Sequence, residues 1–134
     1  MTPGQHLPAD YSLGDESTVG GYAAVHARPA ALEGRDGLSY SLDVLTDTTD
    51  DPARPFGAYL LFVQWSRMGA QKVDGHLESG FVAWGATADA ADRALRVMPL
   101  VEAQRILDTL IRDRDGDSNR RWLDVMREDT GDDA

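Results

Sequence analysis

The period of the hydrophobic pattern changes near the middle of the chain. Residues 38–48 alternate, with Leu38, Tyr40, Leu42 and Val44 on one side and Ser39, Ser41 and Asp43 on the other, which is the two-residue period of a strand with one face buried. Residues 58–66, AYLLFVQWS, are the most apolar run and predict a central strand covered at least in part on both faces. Residues 71–84 alternate again. Val73, Leu77, Phe81 and Ala83 are expected to face the core, and Lys72, Asp74, His76 and Glu78 the opposite side, which turns apolar at Val82 and Trp84. Gly75 and Gly80 are candidate bulge positions.

Upstream, residues 22–33 are apolar enough for a first strand, which Pro29 would confine to an edge or a bulge. Gly34-Arg35-Asp36-Gly37 predicts a turn, residues 50–57 with two prolines a loop, and Met68-Gly69-Ala70 a second turn.

Beyond residue 86 the apolar spacing lengthens to that of helices. Thr87 is placed to cap the first, whose stripe is Ala91, Ala94, Leu95 and Met98. Pro99 should end it and open a second, with Leu100, Ala103, Leu107 and Leu110 as its apolar stripe. Asp115-Gly116 predicts a stop, after which Asp117 or Ser118 would cap a short third helix carrying Trp122, Leu123 and Met126. The expected fold is therefore α+β: a four-stranded antiparallel meander followed by two helices and a short third helix, packed on one face. Residues 1–20, rich in Gly and Pro without a period, are expected to be a mobile leader, residues 21–128 a single domain, and residues 129–134 a frayed acidic tail.

Composition fits that reading and narrows the chemistry. The 134 residues suit one hydrophobic core. With no cysteine, a disulfide framework, a thiolate metal site and a cysteine nucleophile are all excluded. That suits a reducing compartment, and with no run of about 20 apolar residues the expectation is a cytoplasmic protein with no membrane partner. The net charge is −10, which opposes the basic footprint of phosphate-binding surfaces. Removing the six acids of residues 1–20 and 129–134 leaves −4, and Lys72 is the sole lysine. A compositional bias of the host accounts for that pattern as well as a recognition surface does.

Three constellations carry candidate chemistry. Asp74, His76 and Glu78 share one strand face by the period of two, and imidazole with carboxylates is a donor set for a divalent metal. His26 and Arg28 would join that face if the first strand paired nearby. Ordinary polar residues of a solvated sheet face have the same pattern. Secondly, Asp113-Arg114-Asp115-Gly116-Asp117-Ser118-Asn119, closing at Asp124, resembles the calcium loop of an EF-hand, with Asp113, Asp115 and Asp117 at alternate ligand positions. Ser118 stands where that loop has its glycine, Arg120 where it has an apolar residue, and Asp124 where it has a glutamate, and a glycine stop before a helix cap has the same signature. Thirdly, Tyr59, Phe62, Trp65, Phe81 and Trp84 lie in the two central strands. Their expected place is the core, whereas exposed on a sheet they would form a stacking platform. The order of four strands before a helix is similar to that of the Whirly and Pur-alpha single-strand-binding folds, and the acidic charge weighs against nucleic acid as a partner.

No phosphate-binding loop, nucleophile elbow or paired-histidine helix motif occurs. The expected function is a non-catalytic binding or protein-interaction module, a homodimer formed through an uncovered sheet face or edge, or another homo-oligomer or protein complex, with His26, Arg28, Trp65 and Trp84 as candidate ligand-binding residues. No cofactor is expected. The alternatives are a metal-dependent enzyme or metal-binding protein using Asp74, His76 and Glu78, and a single-stranded nucleic-acid binder.

Overall fold

The computed structural model describes residues 8–65 and 73–131, with side chains for 8–65 and 75–117. The turn expected at residues 68–70 and the apolar positions of the expected third helix lie outside the described side chains. The chain order is a 3-10 turn at Tyr11–Leu13, helix α1 (Val19–His26), strands β1 (Ala31–Glu33), β2 (Ser39–Thr48), β3 (Phe56–Trp65), β4 (Val73–Glu78) and β5 (Ala83–Gly85), then helices α2 (Ala88–Arg96) and α3 (Leu100–Gly131). The sheet is an antiparallel meander in the order β1-β2-β3-β4, and β5 also pairs with β3. This is the α+β architecture that the alternation implies.

The pairing of β2 with β3 runs unbroken from Ser39 opposite Trp65 to Thr48 opposite Phe56. Side chains directly across a ladder share a face, so Leu42 with Phe62 and Val44 with Leu60 fall on one side of the sheet. That side is the core: Tyr40, Leu42, Val44, Ala58, Leu60 and Phe62 are buried there against Ala91 and Leu95 of α2 and Ala103, Leu107 and Ile111 of α3. The turn at residues 34–37 forms as the sequence implies, with the Gly34 amide donating to the Leu38 carbonyl at 2.9 Å and Gly37 at φ 79°, a conformation that favours glycine.

The expected first strand is instead divided: residues 22–26 belong to α1, residues 27–30 form a turn, and only the last three residues lie in β1. Thr18 accepts a hydrogen bond from the Gly21 amide at 3.0 Å and caps α1, and the run it opens has no alternation that a sheet could use. Ala27 ends the helix in the left-handed region at φ 53°. Part of the expected leader is also held in place. Val19 donates to the Met98 carbonyl at 2.9 Å and Leu100 to the Ser17 carbonyl at 2.7 Å, stitching residues 17–19 to the corner between α2 and α3.

The expected fourth strand is divided. β4 pairs with residues 61–65 of β3 and β5 with residues 56–58, while between them residues 79–82 bulge out of the regular pairing, tied to β3 by the Ser79 and Val82 amides donating to the Leu60 and Ala58 carbonyls. The register shifts between Gln64 and Trp65, beside Gly75, and Gly80 lies in the interruption. At the other end of the domain, the stop expected at Asp115-Gly116 does not occur, because α3 runs through it to Gly131. A glycine in a helix interior costs only about 1 kcal/mol, so it does not by itself end a helix. Thr87 caps α2, accepting from the Ala90 amide at 3.1 Å. Ala94 turns out exposed, whereas Ala91 and Leu95 are buried.

Candidate functional site

The face of the sheet away from the helices carries the candidate site. Ladder partners place Leu45 with Tyr59, Leu61 with Glu78, Val63 with His76 and Gly57 with Trp84 on this side. Trp65 shares it, its indole Nε1 donating to Ser41 Oγ at 3.0 Å. Leu45, Tyr59, Leu61, Val63, Trp65 and Trp84 are all only half-buried, and the core helices pack on the other side. Of the five aromatic rings expected in the core, Phe62 is fully buried. The other four face outward, a correction with two causes: in the unbroken β3 Tyr59 and Trp65 alternate with Phe62 and so take the opposite face, as Trp84 does opposite Gly57, whereas Phe81 is turned out by the interruption at residues 79–82. The excursion carries Phe81 out of the core row predicted with Leu77 and lays its ring over Gly57, where a Cβ would collide with it.

The rim of this face is acidic. Asp43 and Asp47 project from β2, and Glu78 from β4. Asp43 Oδ1 accepts from the Val44 amide and Asp47 Oδ1 from the Thr48 amide, each at 2.8 Å. Because β1 pairs only with residues 39–41 of β2, these amides lie on the outer edge of β2 past the end of β1, and the carboxylates occupy donors that another strand could use. A hollow of about 260 Å³ opens beside them, lined by Asp47, Tyr59, Glu78, Ser79, Gly80 and Phe81. In it Tyr59 and Phe81 meet edge to face with centroids 6.0 Å apart. At the same end of the sheet Arg54 lies over the Trp84 ring, 4.2 Å from its centroid.

The sequence candidates disperse over this framework. His76 and Glu78 do share a face, 3.6 Å apart, and both are exposed; the side chain of Asp74 lies outside the described residues. Among the described residues no group of three His, Asp or Glu side chains is close enough together to hold a metal ion. His26 and Arg28 do not join them, because they belong to α1 and the turn after it. His26 Nε2 is 2.9 Å from Glu16 Oε2, its ring lies 4.3 Å from that of Tyr22, and Arg28 sits 5.7 Å from the Tyr22 centroid. Arg28 also lines, with Arg96 and Asp43, a separate hollow of about 250 Å³ between α1 and β2. Trp65 and Trp84 share the open face but stand at opposite ends of β3, about 26 Å apart along the strand. Asp113, Asp115 and Asp117 lie in α3, where helical geometry turns Asp115 away from the other two, so the loop needed to gather calcium ligands does not form.

One polar cluster escaped the sequence reading altogether. The Tyr40 hydroxyl donates to Asp36 Oδ2 at 2.6 Å and lies 3.2 Å from Gln64 Oε1. Arg114 of α3 reaches the same Asp36 oxygen at 3.2 Å. Partial burial pushes the Asp36 carboxyl up, but the Tyr40 hydroxyl, the Leu38 amide and the Arg114 guanidinium together hold it below the usual carboxylate range. Burial, together with the neighbouring Asp36, raises Tyr40. Its members join the β1–β2 turn, β2, β3 and α3, so it acts as a clamp. The signal available in the sequence was only Asp36 and Tyr40 four residues apart; Gln64 and Arg114 join them through the tertiary fold.

Compared with known protein families, with curated proteins and with solved structures, the chain matches none. Among the described residues no helix is long and apolar enough to cross a membrane.

Proposed function

We propose that this protein is a non-catalytic interaction module whose open sheet face docks a basic segment of a protein partner. The observation that carries the reading is the combination on that face: half-buried Tyr59, Leu61 and Val63 along its middle with Trp65 and Trp84 at its two ends, and Asp43, Asp47 and Glu78 at its rim. Apolar surface of this kind gains about 25 cal/mol per Å² when covered, and a carboxylate rim steers cations toward it.

Charge and area both favour such a partner over a second copy of the chain. Two copies would each bring −10 and would set like-charged rims near one another, which costs binding energy. Three strands by ten residues offer a face of about 450 Å², roughly half of what each partner buries in a stable interface. A flexible segment that lies across the face needs less. The absence of cysteine suits a cytoplasmic partner.

A nona-lysine peptide titrated into the full chain at low salt is the direct test, read by the fluorescence of Trp65 and Trp84 with single Phe substitutions to assign the signal. Saturable binding is expected that weakens at least tenfold in Leu61→Asn and Val63→Asn, neither of which changes the charge. Undiminished binding by both variants would mean diffuse electrostatic attraction and defeat the proposal. Light scattering at high micromolar concentration is expected to give a monomer, and a dimer that these variants dissociate would put a second copy in the partner's place.

A further inference from the structure

We infer that the hollow lined by Asp47, Tyr59, Glu78 and Phe81 is an arginine-reading subsite, receiving one guanidinium from the segment that docks on the open face. The inference rests on the docking reading and adds its specificity. Aromatic faces attract cations through their quadrupole, and a guanidinium can stack on a ring while its N–H groups remain in plane for carboxylates. Both requirements are met together here. Tyr59 and Phe81 form a corner 6.0 Å between centroids at 66°, and Asp47 and Glu78 line the same hollow of about 260 Å³, which is room for a side chain rather than a domain.

The carboxylates have capacity left over. Asp47 uses Oδ1 on the Thr48 amide, and a carboxylate has a second oxygen to accept from another donor. Glu78 Oε1 is 3.6 Å from His76 Nε2, beyond good hydrogen-bond length. Arginine is also the cation this surface already accommodates elsewhere, since Arg54 covers the Trp84 ring at 4.2 Å. Phe81 owes its place to the break in the ladder at residues 79–82 and to Gly57 beneath it, where any Cβ would displace the ring. The interruption of the fourth strand therefore builds one wall of the subsite.

The test uses capped tripeptides, Gly-Arg-Gly against its lysine and citrulline analogues, titrated into the isotopically labelled full chain by NMR. Saturating amide shifts at Gly57, Gly80 and Phe81 are expected for the arginine peptide. Affinity should fall at least fivefold for lysine and tenfold for citrulline, which keeps the shape and loses the charge. Glu78→Gln and Phe81→Leu, checked for unchanged dispersion elsewhere, should each weaken arginine at least fivefold. Absence of shifts at these three amides, equal response to citrulline, or equal affinity for lysine would overturn the assignment. The failure is separable from that of the docking reading: nona-lysine binding lost in Leu61→Asn but no tripeptide response would leave the face as a docking surface without this subsite.

Discussion

At the scale of single residues, the Asp36–Tyr40–Arg114 clamp makes a titration expectation. Its carboxyl is held below its ordinary value of 3.8 in the folded chain, so the folded state favours the ionised form. The stabilisation is complete above the unfolded pKa and is lost as pH falls through the lowered one. Asp36→Asn should therefore lower the urea midpoint at pH 7 and narrow the gap between variant and parent near pH 3. A gap that stays constant with pH would show that Asp36 contributes only through its shape. Tyr40 was legible in the sequence as a core position of β2, but its hydroxyl's role was not, because Gln64 and Arg114 are brought to it by the sheet register and the helix packing.

At the scale of elements, legibility follows how strictly each segment keeps a period. β2 and β3, the turn at residues 34–37, the Thr87 cap and the Pro99 boundary all follow from spacing. α1 did not, since Val19-Gly20-Gly21-Tyr22-Ala23-Ala24 has no clear period and two glycines lower its helix propensity. Those glycines answer to tertiary fit instead: a Cβ at Gly20 would lie 2.6 Å from the Arg96 Cβ. The candidate site was half legible, as His76 and Glu78 were correctly placed on one face. Its aromatic part was less so: an apolar run such as β3 hides its own alternation, which sends Tyr59 and Trp65 to the face opposite Phe62, and the break at residues 79–82 turns Phe81 out without leaving a mark in the composition. The same reasoning bears on α3. Gly116 is helical and nothing lies within 4 Å of where its Cβ would be, so Gly116→Ala is expected to stabilise the protein by up to about 1 kcal/mol, measured by urea unfolding. Destabilisation would restore the helix stop that the glycine suggests.

At the scale of the whole molecule, the two faces of the sheet carry apolar residues with different duties. Leu107 is fully buried between α3 and the core face, and Leu107→Ala should cost about 2–5 kcal/mol. Leu61, half-buried on the other side, should tolerate Leu61→Asn at a cost under about 1 kcal/mol. Comparable losses in the two variants would mean that the second face is shielded after all. The meander also has a temporal side. From β1 to β4 each strand neighbours the one made just before it, and β5 reaches back only to β3, so most pairing can form within tens of residues of the growing end, a local topology of the kind that folds quickly. The greasy underside nevertheless has no cover until residues 88–111 leave the ribosome, and the clasp of Ser17 and Val19 on Met98 and Leu100 can close only then. Residues 17–19 are thus among the last to find their place, and until the helices arrive a nascent copy presents both sides of its sheet to whatever chaperone stands nearest.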